Sequence, residues 1–299
     1  MNAEVAVTSP TQLGESPIWV NRDGCVYWVD ISANRIHAYN PATHTHTSWE
    51  TTEPIVALFP DYKRQWLVCG KKGIYRTQLT WGATQAQLLL LAPFDTPISS
   101  MRLNDAAMDA KGRIWVTSVE ENLLLSPDNP ANGSLLCWDP LAPSQLHTHV
   151  RGLKVGNGLA FNLDQTKLYL SDSHPSCKTI HTYDFALEAG ILTGRTLFAT
   201  LKEGQGRPDG AAIDELDGYW ICGIDAGVIH RFTPNGVLER SVYVPTPTPT
   251  KLCFGNYDLG TLYVTHLQKE GEKASSVALF KLDPGVKGTF PMPHSTGPL

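Results

Sequence analysis

A single unit, written six times, constrains this 299-residue chain more than any other feature of it. Each copy is a short apolar strand bearing Trp or Tyr, a small or acidic loop, and a second strand that ends near Asp-Pro or a similar pair. The copies pair residues 24–30 with 35–41, 66–70 with 73–76, 112–117 with 134–140, 167–172 with 179–184, 218–222 with 228–234, and 260–265 with 278–284. With Trp28, Leu67, Trp115, Tyr169, Trp220 and Tyr263 as marks, the interval is roughly 40 to 55 residues, the period of four-stranded propeller blades. A lone blade leaves a hydrophobic face uncovered, and closing the ring buries every face. The pattern therefore predicts an all-β, six-bladed propeller occupying 1–299 as one domain.

Helix signals are weak, because no long stretch keeps apolar residues at helical spacing and the chain carries 25 Gly and 21 Pro. Residues 4–8 read as a short strand that completes the last blade from the other end of the chain. The Pro-Thr alternation of 245–250 reads as an extended connection between blades.

Composition excludes several classes. A hydrophobic content of 42% with 18% charged residues fills a core and does not suit a disordered chain. A net charge of −5 and the lack of any basic run argue against a nucleic-acid partner. No apolar stretch approaches the ~20 residues of a membrane span. The first residues carry an acid and no base, unlike a secretory signal, so a cytoplasmic location is expected. Six dispersed cysteines without C-x-x-C spacing are expected as free thiols.

Nucleotide-binding loops, H-E-x-x-H and G-x-S-x-G are all missing. Four segments preceding repeat strands do carry polar residues: Leu13-Gly14-Glu15-Ser16-Pro17, Met101-Arg102-Leu103-Asn104-Asp105, Gly156-Asn157-Gly158 and Pro208-Asp209-Gly210. Taken singly, the last two are ordinary turn sequences, and Glu15 and Arg102 suit surface loops. Taken together, each precedes its strand by a similar interval, which converges the polar groups near the axis of the ring. Two carboxylates and an amide oxygen make a donor set for a hard cation such as Ca²⁺, Mg²⁺ or Mn²⁺, and carboxylates also accept zinc.

These segments give the chain its resemblance to the senescence marker protein, gluconolactonase and luciferin-regenerating enzyme family. Gly14-Glu15-Ser16-Pro17, Tyr27-Trp28-Val29-Asp30, Arg102-Leu103-Asn104-Asp105, Asn157-Gly158-Leu159, Pro208-Asp209-Gly210 and Cys253-Phe254-Gly255 match in order along nearly the whole chain. The resemblance implies a six-bladed propeller with one divalent ion (Ca, Zn, Mn, Mg or Fe) held by Glu15, Asn157 and Asp209. It implies substrate contacts from Arg102 and Asn104, and from an acid in Glu120-Glu121-Asn122, of which Glu121 is the first choice. The implied substrate is a small sugar lactone, opened by water with the metal as Lewis acid and Asp209 as base. A phosphotriester hydrolase on the same residues and a non-enzymatic calcium-binding propeller are the alternatives. His174 and His266 read as solvated residues at the channel rim, with a proton shuttle at the channel mouth as the alternative. Two departures from the family pattern, Asn104-Asp105-Ala106 for Asn-Asp-Gly and Phe254-Gly255-Asn256 for Phe-Gly-Gly, are expected to alter loop geometry and substrate fit.

Overall fold

The structure, a computed structural model, describes residues 2–61, 64–268 and 277–289. Six four-stranded antiparallel sheets are arranged as blades around one axis. Blades 1 to 5 are consecutive meanders. Blade 6 takes three strands from the end of the chain and its outermost from Glu4–Thr8, which pairs antiparallel with Val277–Leu282, Glu4 opposite Lys281 and Thr8 opposite Val277. The strand expected over 4–8 is therefore present and closes the ring. No α-helix occurs among the described residues.

The first strand of each blade lines the axis: Gly14–Val20, Ile55–Pro60, Met101–Met108, Gly156–Phe161, Arg207–Ile213 and Pro249–Gly255. Neighbouring first strands touch around the whole ring. Pro249 and Thr250 belong to the last of these, so the extended connection is shorter than the Pro-Thr pattern suggests.

The core lies between blades. The second strands Cys25–Asp30 and Tyr219–Ile224 are buried along their full length, whereas an outermost strand such as Ile191–Thr200 is largely exposed. Trp28, Trp115, Trp220, Tyr169 and Tyr263 are all fully buried. Their registers differ: Tyr169 faces Ala160 at the end of a bulge, while Trp115 and Trp220 sit one place before the equivalent residues Val116 and Ile221. Both faces of a second strand are covered by adjacent blades, so a large ring fits on either side and the aromatic marks need not be strictly equivalent. The six cysteines are free thiols.

Candidate functional site

All six first strands carry a β-bulge near their beginning; in blade 2 it falls between Ile55 and Ala57 and presents only Val56, and in the other five polar residues lie in it or beside it. Pairing breaks between Glu15 and Ile18, Leu103 and Ala106, Asn157 and Ala160, Pro208 and Ala211, and Pro249 and Leu252. A bulge twists a strand and re-aims its side chains. The residues gathered at these breaks are Glu15, Asn104, Asp105, Asn157, Asp209 and Lys251.

Carboxylates at the ends of second strands fix where the bulged strands begin. Asp30 accepts the backbone N–H groups of Gln12 (2.8 Å) and Leu13 (3.1 Å), just before Glu15. Asp172 does the same for Lys154 (2.9 Å) and Val155 (3.1 Å), just before Asn157. Hydroxyls from the preceding blade then hold the carbonyl before each oxygen-bearing residue. Thr250 donates to Gly14 O (2.5 Å), Thr117 to Gly156 O (2.8 Å), and Ser171 more weakly to Pro208 O (3.4 Å). Gly158 sits at φ +63°, where an added Cβ would lie 2.6 Å from the Tyr219 hydroxyl, so only glycine fits after Asn157.

Glu15 and Asp209 form the electrostatic centre. Burial pushes the Glu15 carboxyl up from 4.5 to about 7; the charge of Asp105 adds to the effect and that of Lys251 opposes it. Burial, then the charge of Glu15, pushes Asp209 well above the usual carboxylate range. Glu15 accepts the N–H of Ser16 (2.9 Å), and Asp209 accepts no hydrogen bond from any described residue. Two carboxylates that repel each other, Asp209 buried and Glu15 half-buried, with so few donors, are costly without a cation. Their oxygens and the Asn157 amide oxygen form a donor set that suits a hard divalent ion, and no cluster of three His, Cys, Asp or Glu side chains occurs among the described residues.

A hydrogen-bonded chain runs outward from Asn157. Asn104 Nδ2 donates to Asn157 Oδ1 (2.9 Å) and to Gly156 O (3.1 Å), while its own Oδ1 accepts from an Arg102 guanidinium nitrogen (2.7 Å). Arg102 Nε donates to Glu121 Oε1 (3.1 Å), which also receives Lys71 Nζ (2.6 Å). Glu121 is half exposed at the outer end of this chain, on a short 3-10 turn, Glu121–Leu123. Glu120 turns instead to Ser100 and Asn132. The six residues singled out from sequence thus meet in one region, with Arg102, Asn104, Asn157 and Glu121 in direct contact.

The two histidines do not face solvent at a channel rim. Both are buried. His174 Nε2 lies 2.9 Å from Ser126 O with Nδ1 on Ser176, and His266 Nε2 lies 2.9 Å from Val277 O. These bonds tie loops together. Asn256 is also remote from the site, at the far end of its strand, so its departure from glycine does not reshape the pocket. Its φ of +66° is in the left-handed region, which Asn tolerates, and its side chain bonds Thr261 and Tyr263.

Sequence reasoning assigned no role to Lys251. It lies in blade 6 at the position that Gly210 occupies in blade 5, behind a Pro-Thr run that reads as a connection. Its ammonium is buried and donates to Asp105 Oδ1 (2.5 Å) and Ala106 O (3.0 Å). Asp105, Glu15 and Asp209 together hold its pKa above the ordinary lysine value against the opposing effect of burial. No sequence signal marked it: only the bulges align Lys251, two residues after Pro249, with Asp105, two after Leu103.

The sequence matches the model of the SMP-30/Gluconolactonase/LRE-like region over residues 13–268. It is 30% identical over 283 residues to a 6-deoxy-6-sulfogluconolactonase of Pseudomonas putida, covering 95% of this chain and 92% of the other. It is 25% identical to a pentonolactonase of Haloferax volcanii, with 96% of each covered. Among solved structures, a calcium-binding protein, regucalcin, from Agrobacterium tumefaciens superposes with a TM-score of 0.86 at 20% identity, covering 98% of this chain and 97% of that one.

Proposed function

The chain belongs to the SMP-30/gluconolactonase/LRE-like family, and on that premise we propose that it hydrolyses a sugar lactone at a divalent cation held by Glu15, Asn157 and Asp209. The observation that carries the reading is the pair of desolvated, mutually repelling carboxylates, half-buried Glu15 and buried Asp209, beside the Asn157 amide. When bound, the cation polarises the lactone carbonyl oxygen. Arg102 and Asn104 hold the sugar through its hydroxyls or ring oxygen, and their mutual bond presets their orientation before substrate arrives. Glu121, anchored by Arg102 and Lys71, accepts hydrogen bonds from sugar hydroxyls at the mouth. Asp209 takes a proton from the attacking water; the acyl carbon gains that oxygen, and the ring carbon–oxygen bond breaks with its electron pair leaving on the ring oxygen, which is then protonated. The support for a lactone is the naming of the two relatives as sugar lactonases.

The test is hydrolysis of five- and six-membered aldonolactones by chelated protein after re-addition of Ca²⁺, Mn²⁺, Mg²⁺, Fe²⁺ or Zn²⁺, with Asp209→Ala alongside. Turnover restored by metal in the wild type and lost in the variant is expected. Metal binding without turnover of any lactone would refute the enzymatic reading.

A further inference from the structure

One charged pair inside the ring has no part in the chemistry above. Lys251 of blade 6 and Asp105 of blade 3 meet across the channel, with Nζ 2.5 Å from Oδ1, and each residue is only 7% exposed. Asp105 is fixed on its other side by the N–H groups of Leu159 (2.9 Å to Oδ2) and Ala106 (2.9 Å to Oδ1). The Lys251 stem is pressed against Gly210, where an added Cβ would lie 2.3 Å from Lys251 Cγ, so the stem passes directly beside the residue that follows Asp209. The ammonium is close enough for its charge to act on both Glu15 and Asp209. An apolar pair of similar volume would hold the blades together as well or better, because desolvation offsets most of a buried ion pair's attraction. Stability therefore gives no reason for this pair.

We propose that Lys251 and Asp105 set the charge of the cation site. Glu15, Asp209 and Asp105 with Lys251 carry a formal charge of −2, which a divalent ion neutralises; outside this group Arg102 and Lys71 share Glu121, and Arg207 is paired with Asp225. Lys251 keeps that charge from reaching −3, and Asp105 keeps it from falling to −1. The pair is thus a positioning and affinity-setting device that contacts neither the substrate nor the cation. This rests on the reading that Glu15, Asn157 and Asp209 bind a divalent cation.

The two residues make opposite predictions. Calorimetric titration of the chelated full chain with Ca²⁺ and with Mn²⁺ is expected to show Lys251→Met binding at least about tenfold tighter than wild type and Asp105→Asn at least about tenfold weaker. The double variant is expected to return to within about threefold of wild type, as is Lys251→Arg, which keeps the charge. Lys251→Gln, which keeps a donor for Ala106 O, serves if the Met variant does not fold, with circular dichroism checking each protein. A pair that only braces the blades would weaken binding in both single variants, and that result, or unchanged affinities, would overturn the proposal. If the wild type binds neither ion, the cation reading falls and this inference with it; if it binds and the variants fail to order as stated, this inference alone falls.

Discussion

Replacing Glu15 by Gln is expected to stabilise the metal-free protein while abolishing its stabilisation by metal. Glu15 is a carboxyl whose pKa is raised on folding, from 4.5 to about 7, chiefly by burial. Below 4.5 it is protonated in the folded and unfolded chain alike and costs nothing. Between 4.5 and 7 the folded state binds the extra proton, so stability falls as pH rises through that window and the full penalty is present above it. At about 1.4 kcal/mol per pH unit, the penalty is roughly 3 kcal/mol. Gln has the same shape and no charge, and it relieves Asp209 of its neighbour's repulsion. An unfolding entropy of roughly 2.1 cal/mol/K per residue over this chain converts that gain to a rise in Tm of about 5 °C. The assay is a thermal melt in chelator at pH 8 and at pH 5, repeated at pH 8 with excess divalent ion. The variant is expected to melt higher at pH 8, to keep only a small part of that gain at pH 5, near the bottom of the window, and to melt lower than wild type once metal is added, because only wild type gains from ligand linkage. Equal Tm values in chelator at pH 8, or a gain of the same size at both pH values, would refute the argument from buried charge.

Other outcomes follow from the same structure. Deleting residues 2–8 removes the outermost strand of blade 6 with buried Val7, and a loss of roughly 5 kcal/mol, or about 8 °C in Tm, is expected by calorimetry. Gly158→Ala forces a Cβ into the Tyr219 hydroxyl and the Ser171 side chain at a positive φ, at a cost of roughly 1–3 kcal/mol. Its displacement of Asn157 should weaken metal affinity in titration. Asp172→Ala releases the N–H groups of Lys154, Val155 and His174, and a destabilisation of roughly 2–3 kcal/mol by denaturant melt is expected, with weaker metal binding because the strand start before Asn157 loosens. Metal affinity of the wild type is expected to rise with pH through about 7, as the Glu15 proton that competes with the cation is lost.

The blade count was legible because each blade must bury a second strand on both faces, and such a strand is apolar along its length wherever its rings point. The closing strand was legible as a short run of strand-forming residues, Glu4-Val5-Ala6-Val7-Thr8, although the burial of Val7 and the exposure of Val5 were not. The candidate site was legible to the extent that Glu15, Asn157 and Asp209 stand out as residue types on what prove to be bulged first strands, helped by family resemblance. Their register was not. Glu15 and Asn157 are the last paired residues before the bulge, whereas Asp209 lies within it. A bulge inserts a residue that linear spacing does not reveal, so equal intervals in sequence did not correspond to equal places on the axis. Lys251 was hidden by the same displacement and by its Pro-Thr surroundings. The bonds made by His174 and His266 were invisible because both rings answer to carbonyls distant in sequence, 48 and 11 residues away.

The union of Glu4–Thr8 with Val277–Leu282 also orders events during synthesis. Glu4–Thr8 leaves the ribosome before the other strands of the ring but belongs to the last sheet that can be completed, and at about 5–20 residues per second its partner follows only after tens of seconds. Until then the nascent chain holds an unpaired edge, the kind of surface that invites pairing with a neighbouring chain. Five blades can assemble in turn as they emerge. The sixth must wait until Val277–Leu282 has emerged, so crowded polysomes translating this message are where intermolecular strand exchange has its longest opportunity.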